Sequence, residues 1–309
     1  MKAMIDFDTA PIFAIPMVEG PGVHEGMLIE GPQGWGEFSP PPGGDVATAS
    51  RWLTAAVEGG TVGWPDPRRG RIPIAVTVAA VDPATARRTV EASGCLTADV
   101  GVGSADLTED AERVAAVRAA LGPDGRIRLS ANASWSVEDA VRAIAVLADA
   151  AGGVEFVAQP CLRTDDLAAV RSRVEVPIAA EPSSAEAVDV VILRSGPLGG
   201  VRRALRVAER LDLPCVVASS GETSIGLAAG LALAGALAEL PYACALATVS
   251  LLAGDLVVPG RSLRPVDGHL PVAPTPAAPA ADLLRQFAVT DADHVERWRR
   301  RLLSARATA

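Results

Sequence analysis

LTADVGVGSADLTEDAERVAAVRAALGPDGRIRLSA, residues 96–131, carries the pattern that decides the fold. Its first seven residues alternate like a strand, which puts Asp99 and Gly101 on one face. Thr108, Glu109 and Asp110 then open a helical stretch, TEDAERVAAVRAAL (108–121), with capping and acidic first-turn residues. IRLSA (127–131) is again a short apolar run. A strand, a helix and a second strand in this order predict a βαβ unit with parallel strands.

The same beat runs through the chain from about residue 73. Further apolar runs are PIAVTVAA, VEFVA, VPIAA, VVILR, PCVVASS and YACALAT, with helical stretches such as PATARRTVEAS and SVEDAVRAIAVLADA between them. Eight such strands favour a barrel over an open sheet. Residues 1–72 differ, being rich in Gly and Pro, with FAIPM, EGMLIEG and GWGEFSP reading as antiparallel strands and 46–58 as a helix. The expected fold class is α/β, a (β/α)7β TIM-type barrel over 73–267. An N-terminal α+β capping domain (1–72) would be joined by the C-terminal tail (268–309), which ends in a helix around 290–304.

Composition narrows the function. A net charge of −9 and a pI near 5.0 argue against a nucleic-acid partner. The most apolar segment, 225–240, is too short for a membrane span and reads as a buried helix. The N-terminus lacks a basic region followed by a long apolar core, and Cys95, Cys161, Cys215 and Cys244 form no CxxC pair. Both fit a cytoplasmic protein with buried free thiols. Of 28 basic residues, all but Lys2 are arginines, which removes Schiff-base and P-loop lysines from the chain body.

Barrel chemistry sits where strands end and helices begin. That rule selects Asp99, Gly101, Ser130, Asn132, Ala158, Gln159, Glu181, Arg194, Ser219, Ser220 and Glu222. Of the three histidines only His24 is placed to reach the mouth, from the cap, and it reads as solvent-exposed; no Ser/His/Asp triad is credible. PLGG (197–200) is a tight turn before a helix, a weak candidate for phosphate. Trp52, Trp64 and Trp298 read as core or interface.

GWGEFSP (34–40), SGC (93–95), ANASW (131–135), AQPC (158–161), IAAEPS (178–183), PLGG and SSGETSIGLAAGLALA (219–234) together resemble the actinobacterial o-succinylbenzoate synthases of the enolase superfamily. The resemblance runs in order over nearly the whole chain. It implies removal of a proton beside a carboxylate, with Mg²⁺ and a lysine base stabilising the enediolate. The positions it assigns to that machinery are occupied differently here. The Lys-x-Lys of the second barrel strand falls on Asp99 and Gly101, and the sixth-strand lysine on Arg194. The three metal carboxylates fall on Ser130, Ala158 and Glu181, and the following glutamate on Pro182. Only thirteen positions separate Glu181 from Arg194, about half the family's spacing, so the fifth helix is expected to be short or missing.

Losing a general base costs about 10²–10⁴ in rate, so this machinery cannot work as the family's does. Asp99, Glu181 and Arg194 are therefore the candidate catalytic residues, expected to converge at the mouth with two carboxylates sharing one arginine. Ser130, Asn132, Gln159, Ser219, Ser220, Glu222 and His24 are the candidate substrate-binding residues. The trio reads either as a structural ion network, as an acid/base site, or, with Glu222 added, as a displaced metal site; neither metal nor cofactor is expected. Three functions follow: a metal-independent lyase, isomerase or cyclase acting on a small unsaturated molecule; a non-catalytic relative binding a ligand or partner; or a synthase with a rearranged site. A homo-oligomer is compatible with all three.

Overall fold

The computed structural model describes residues 5–103 and 106–308. Strands β1 (Ile12–Pro16), β2 (Val23–Gly31) and β3 (Gly34–Phe38) form an antiparallel sheet. Helix α1 (Val46–Thr61), capped by Asp45 through the Thr48 amide at 2.7 Å, packs across it. The approach is close: a Cβ on Gly36 would lie 2.0 Å from the Ala56 carbonyl oxygen, so the second glycine of GWGEF admits the helix. Met27, Ile29, Phe38, Trp52 and Leu53 fill this core with Trp298 and Leu302 of the C-terminal helix.

Strand β4 (Arg71–Pro73) leads into the parallel sheet. Its strands are β5 (Ala75–Val78), β6 (Thr97–Gly101), β7 (Arg126–Ser130), β8 (Val157–Ala158), β9 (Ile178–Ala180), β10 (Val190–Leu193) and β11 (Cys215–Val217), paired in chain order. The eighth expected strand closes the ring as two bridges, Cys244 parallel to Ile74 and Ala245 parallel to Ala218. Intervening helices are α2 (Pro83–Ser93), α3 (Leu107–Leu121), α4 (Val137–Ala151) and α5 (Thr164–Arg171), then α6 (Ser195–Leu198), α7 (Val201–Leu211) and α8 (Ser224–Ala236). Between β9 and β10 only a 3-10 turn, Pro182–Ala187, occupies the place of a helix, as the short Glu181–Arg194 spacing predicts. Strand β12 (His269–Pro271) pairs with β4, and the tail ends in α9 (Ala281–Gln286) and α10 (Ala292–Thr308), which lies against α1.

Helix α8 is buried on most of its surface, as its apolar sequence predicts. Among the described residues no helix is long and apolar enough to cross a membrane. All four cysteines are buried and free.

Two carboxylates of the N-terminal unit end on barrel helices. Glu58 of α1 accepts from the amides of Val201 (2.5 Å) and Arg202 (3.2 Å), the first turn of α7. A side chain on Gly200, whose φ is +110°, would strike that carboxylate, which accounts for the second glycine of PLGG. The anion at this helix terminus is therefore the protein's own, which displaces the phosphate reading of PLGG. Glu58→Ala is expected to cost about 1–2 kcal/mol, the scale of a lost N-cap, read as a lowered urea midpoint at constant slope.

Candidate active site

Period-two alternation brings Asp99 of β6 and Arg128 and Ser130 of β7 into the barrel interior. Asp99 and Arg128 stand opposite each other in the ladder. The Arg128 guanidinium is 1% exposed, and its Nε lies 3.4 Å from Asp99 Oδ2. Its Nη1 donates to the Ala243 carbonyl at 2.6 Å, and its face lies 5.3 Å from the Phe156 ring centroid. Nε and Nη2 have no hydrogen-bond partner among the described residues. Ser130 Oγ donates to Asp99 Oδ1 at 2.5 Å.

The expected trio does not form. Arg194 Nη1 donates instead to Glu181 Oε1 at 2.7 Å, and its Nε to the Ser219 carbonyl at 3.1 Å. Asp99 faces Arg128, so there are two ion pairs, one inside the barrel and one at its rim. The reason is register, which sets Arg128 directly across from Asp99, while Glu181 and Arg194 flank the shortened β9–β10 connection.

These pairs border three spaces, the smallest a pocket of about 440 Å³ lined by Asp99, Ser130, Arg194 and Ser219. An inner cavity of about 510 Å³ is walled by Asp99, Arg128, Phe156, Ala158 and Ile192. An outer cleft of about 910 Å³ lies between the barrel mouth, residues 39–44 and α10. Glu181 and Arg194 border both. The outer cleft also carries Arg51, Arg297 and Arg301, none of which has a carboxylate partner among the described residues. A cationic cleft on an acidic chain favours acidic ligands.

The other candidates divide. Asn132 and Gln159 line the inner cavity on left-handed backbone, φ +49° and +47°, but the Gln159 amide is turned back to the Cys161 carbonyl at 2.9 Å. Ser220 borders the outer cleft. Ser219 Oγ donates to Glu222 Oε2 and accepts from Thr248 Oγ1 (2.7 Å) and the Gly221 amide (2.8 Å), so the hydroxyl is fully engaged. Glu222 is 5% exposed and also accepts from the Ser220 amide at 2.7 Å. Burial pushes its carboxyl up, aided by the charge of nearby Glu37, against the hydrogen bonds from Ser219 and Ser220. Glu222 thus braces the loop after β11 from within, enclosed rather than facing a ligand as expected. Half-buried Ser219 also lines the pocket of about 440 Å³ with Asp99, Ser130 and Arg194.

His24 is not exposed as expected: its side chain is 13% accessible, packed on Phe13, with Nε2 2.8 Å from Glu37 Oε1. Burial pulls the imidazole down, but the Glu37 hydrogen bond and the charges of Glu37, Glu222 and Glu25 outweigh it and leave it raised above 6.5. The pair therefore adds stability that is full below the ordinary value and lost as pH rises through the folded one. Glu37 itself escaped the sequence reading. It is buried at the end of β3 and accepts from Ser39 Oγ (2.8 Å), Thr223 Oγ1 (2.5 Å) and the amides of Thr223 (3.1 Å) and Gly226 (3.2 Å). The signal was available, a lone carboxylate inside the otherwise apolar GWGEF.

Comparisons with known proteins agree with this architecture. Residues 12–60 match the family described as Enolase N-terminal domain-like, and residues 82–279 match Enolase C-terminal domain-like. The chain belongs to the enolase superfamily. It is 50% identical over 280 positions to the o-succinylbenzoate synthase of Thermobifida fusca, covering 85% of this chain and 87% of that one. It is 40% identical over 291 positions to the o-succinylbenzoate synthase of Mycobacterium leprae, covering 88% and 85%. Among solved structures, the muconate lactonizing enzyme of Pseudomonas fluorescens superposes with a TM-score of 0.77 at 18% identity, covering 94% of this chain and all of that one. At that identity the likeness shows the fold alone, and the enolase-type cap and barrel are the shared fold.

Proposed function

We propose that this homologue of the o-succinylbenzoate synthases is an enzyme acting on a small, unsaturated acidic molecule between the cap and the barrel mouth, as a lyase, isomerase or cyclase that does not depend on a resident magnesium ion. The observation that carries the reading is the chemistry of the donors at the mouth. Magnesium wants near-octahedral oxygen ligands, usually carboxylates. At the positions the family resemblance assigns to it stand a hydroxyl that donates to Asp99, a methyl group, and Glu181, which is paired with Arg194. Among the described residues no three His, Cys, Asp or Glu side chains gather where they could hold a metal ion. These side chains do not fit magnesium.

The retained cavity and the arginines of the outer cleft support an acidic small-molecule ligand. Chemistry in such a space draws on orientation and desolvation. A second reading, a synthase with a rearranged site, is favoured by the 50% identity to the Thermobifida fusca enzyme. Calorimetric titration with Mg²⁺ separates the two. The expected result is no stoichiometric site tighter than about 1 mM, the range of weak extracellular cation sites, and no o-succinylbenzoate formed in the presence of the ion. A tighter site or synthase turnover would establish the second reading. Restoring Ser130→Asp, Ala158→Glu and Glu181→Asp together is expected to create magnesium binding without synthase activity, because the lysines are still absent.

A further inference from the structure

The outer cleft is bordered by a titratable group that is oriented from behind and only partly covered. Asp99 is held by Arg128 and Ser130, Glu181 is held by Arg194, and Glu222 is enclosed. His24 differs from all three. Its Nε2 is fixed by Glu37, while Nδ1 has no hydrogen-bond partner among the described residues and the side chain stays 13% accessible. The ring borders the same cleft as Ser220 and Arg194.

We propose that His24 and Glu37 form the proton-transfer couple of this site, with His24 Nδ1 as the base toward the cleft and Glu37 as the positioning residue behind it. The inference rests on reading the chain as an enzyme. Glu37 receives donors on both oxygens, the pattern of an ionised carboxylate, so it takes the Nε2 proton as an acceptor and leaves the lone pair on Nδ1. A buried carboxylate that fixes tautomer and ring orientation is the arrangement by which a histidine becomes a competent general base. The other charged groups around the ring are Glu222 from the loop before α8 and Glu25 from β2, and Glu25 is itself bonded to His294 of α10 at 2.9 Å. The His294–Glu25 pair is more open, at 22% and 34%, and its carboxylate also accepts from Trp298 Nε1. It lacks the buried orienting carboxylate.

The step is redox-neutral. A C–H bond beside a carboxyl breaks, its electron pair passes into the conjugated system, and the proton goes to Nδ1. The imidazolium then returns that proton to another carbon of the same system, completing an isomerisation. Arg194, bordering the cleft, can take up charge that develops on a carboxyl oxygen. No co-reactant is required.

The test uses the full chain and two readouts. Nitrogen-15 NMR of the imidazoles is expected to show neutral His24 protonated on Nε2, titrating above the ordinary value, and titrating lower in Glu37→Gln. Should Glu37→Gln fail to fold, the tautomer in the wild-type chain and the variant His24→Gln carry the test. In D₂O, trans-3-hexenedioate and 2-oxoadipate, dianions with activated C–H bonds, serve as probes. The wild-type chain is expected to exchange deuterium into at least one, and His24→Gln to slow that exchange about 10²–10⁴-fold. Equal exchange by both proteins, an Nδ1-protonated tautomer, or titration below the ordinary value would overturn the couple while leaving the enzyme reading standing. No exchange by the wild-type chain would overturn the enzyme reading and the couple with it.

Discussion

Replacing Glu37 by alanine is expected to remove about 3–5 kcal/mol of folding stability, the scale on which a buried, paired charge fails when one partner is taken away. The side chain is fully buried and sits at the N-terminus of α8, where Thr223 Oγ1 and the amides of Thr223 and Gly226 converge on one oxygen. Ser39 and His24 reach the other. Alanine strands these donors in a dry interface, and each unsatisfied group costs about 1–3 kcal/mol. The carboxylate also faces the positive end of the helix macrodipole, which a neutral side chain cannot exploit. Urea melts of the wild type and the variant give the comparison, with a lowered midpoint expected at unchanged slope. Glu37→Gln should fall between the two, since its carbonyl satisfies one side while its amide meets donors on the other. A loss below about 1 kcal/mol would mean that water replaces the carboxylate, and that the cap is held by packing alone.

Glu37 and Glu58 make one device used twice. Each leaves the N-terminal unit as a carboxylate and arrives at the N-terminus of a barrel helix, α8 and α7. The cap is thereby registered against the loops after β10 and β11, which carry Arg194 and Ser220 to the cleft. The glycines needed for these approaches are visible in the sequence as GWG and PLGG. Their carboxylate partners are far away along the chain, and Glu58 lies 142 residues before Gly200.

That distance marks what could be read from sequence. Strand and helix periodicity is local, so the barrel beat, the buried α8, the missing fifth helix and the returning tail are all legible in it. The side-chain partners of the site are not local. Alternation puts Asp99 on the inward face of its strand, where the structure has it, but inside the barrel beside Arg128 rather than at the mouth with Glu181 and Arg194. That partner follows from the register of β6 on β7, which alternation alone does not fix. Arg128 is the one charge of the run IRLSA, two residues before Ser130 and so on the same inward face, a signal the sequence reading passed over. His24 looked exposed because its surrounding loop, VEGPGVHEG, is polar. Its burial comes from Phe13 on the neighbouring strand and from Glu37, neither adjacent in sequence.

The barrel interior supplies the second large effect. Asp99→Leu is expected to cost about 3–5 kcal/mol, because it leaves the Arg128 guanidinium buried with one carbonyl and an aromatic face. Arg128→Met should cost less, about 1–3 kcal/mol. Asp99 is 14% exposed at the cavity wall and keeps the Ser130 hydroxyl, so water can serve it where none can serve the arginine. Combining the two substitutions removes both charges and puts apolar groups of similar length in their place, a change that is often neutral or stabilising. The double variant is therefore expected to lie within about 1 kcal/mol of the wild type, with a coupling energy of several kcal/mol against a sum of the single effects, beyond the 0.3–0.5 kcal/mol scatter of about-additive sites. Urea midpoints of the four proteins close the cycle. Simple additivity would show that Arg128 is held by Ala243 and Phe156 alone. Asp99 would then be free to work in the cavity as an acid or base, and turnover would fall with Asp99→Asn while stability held. With coupling, Asp99 is held as a structural partner of Arg128, which leaves His24, on the same outer cleft as Arg194 and Ser220, as the group the proposed proton transfer calls on.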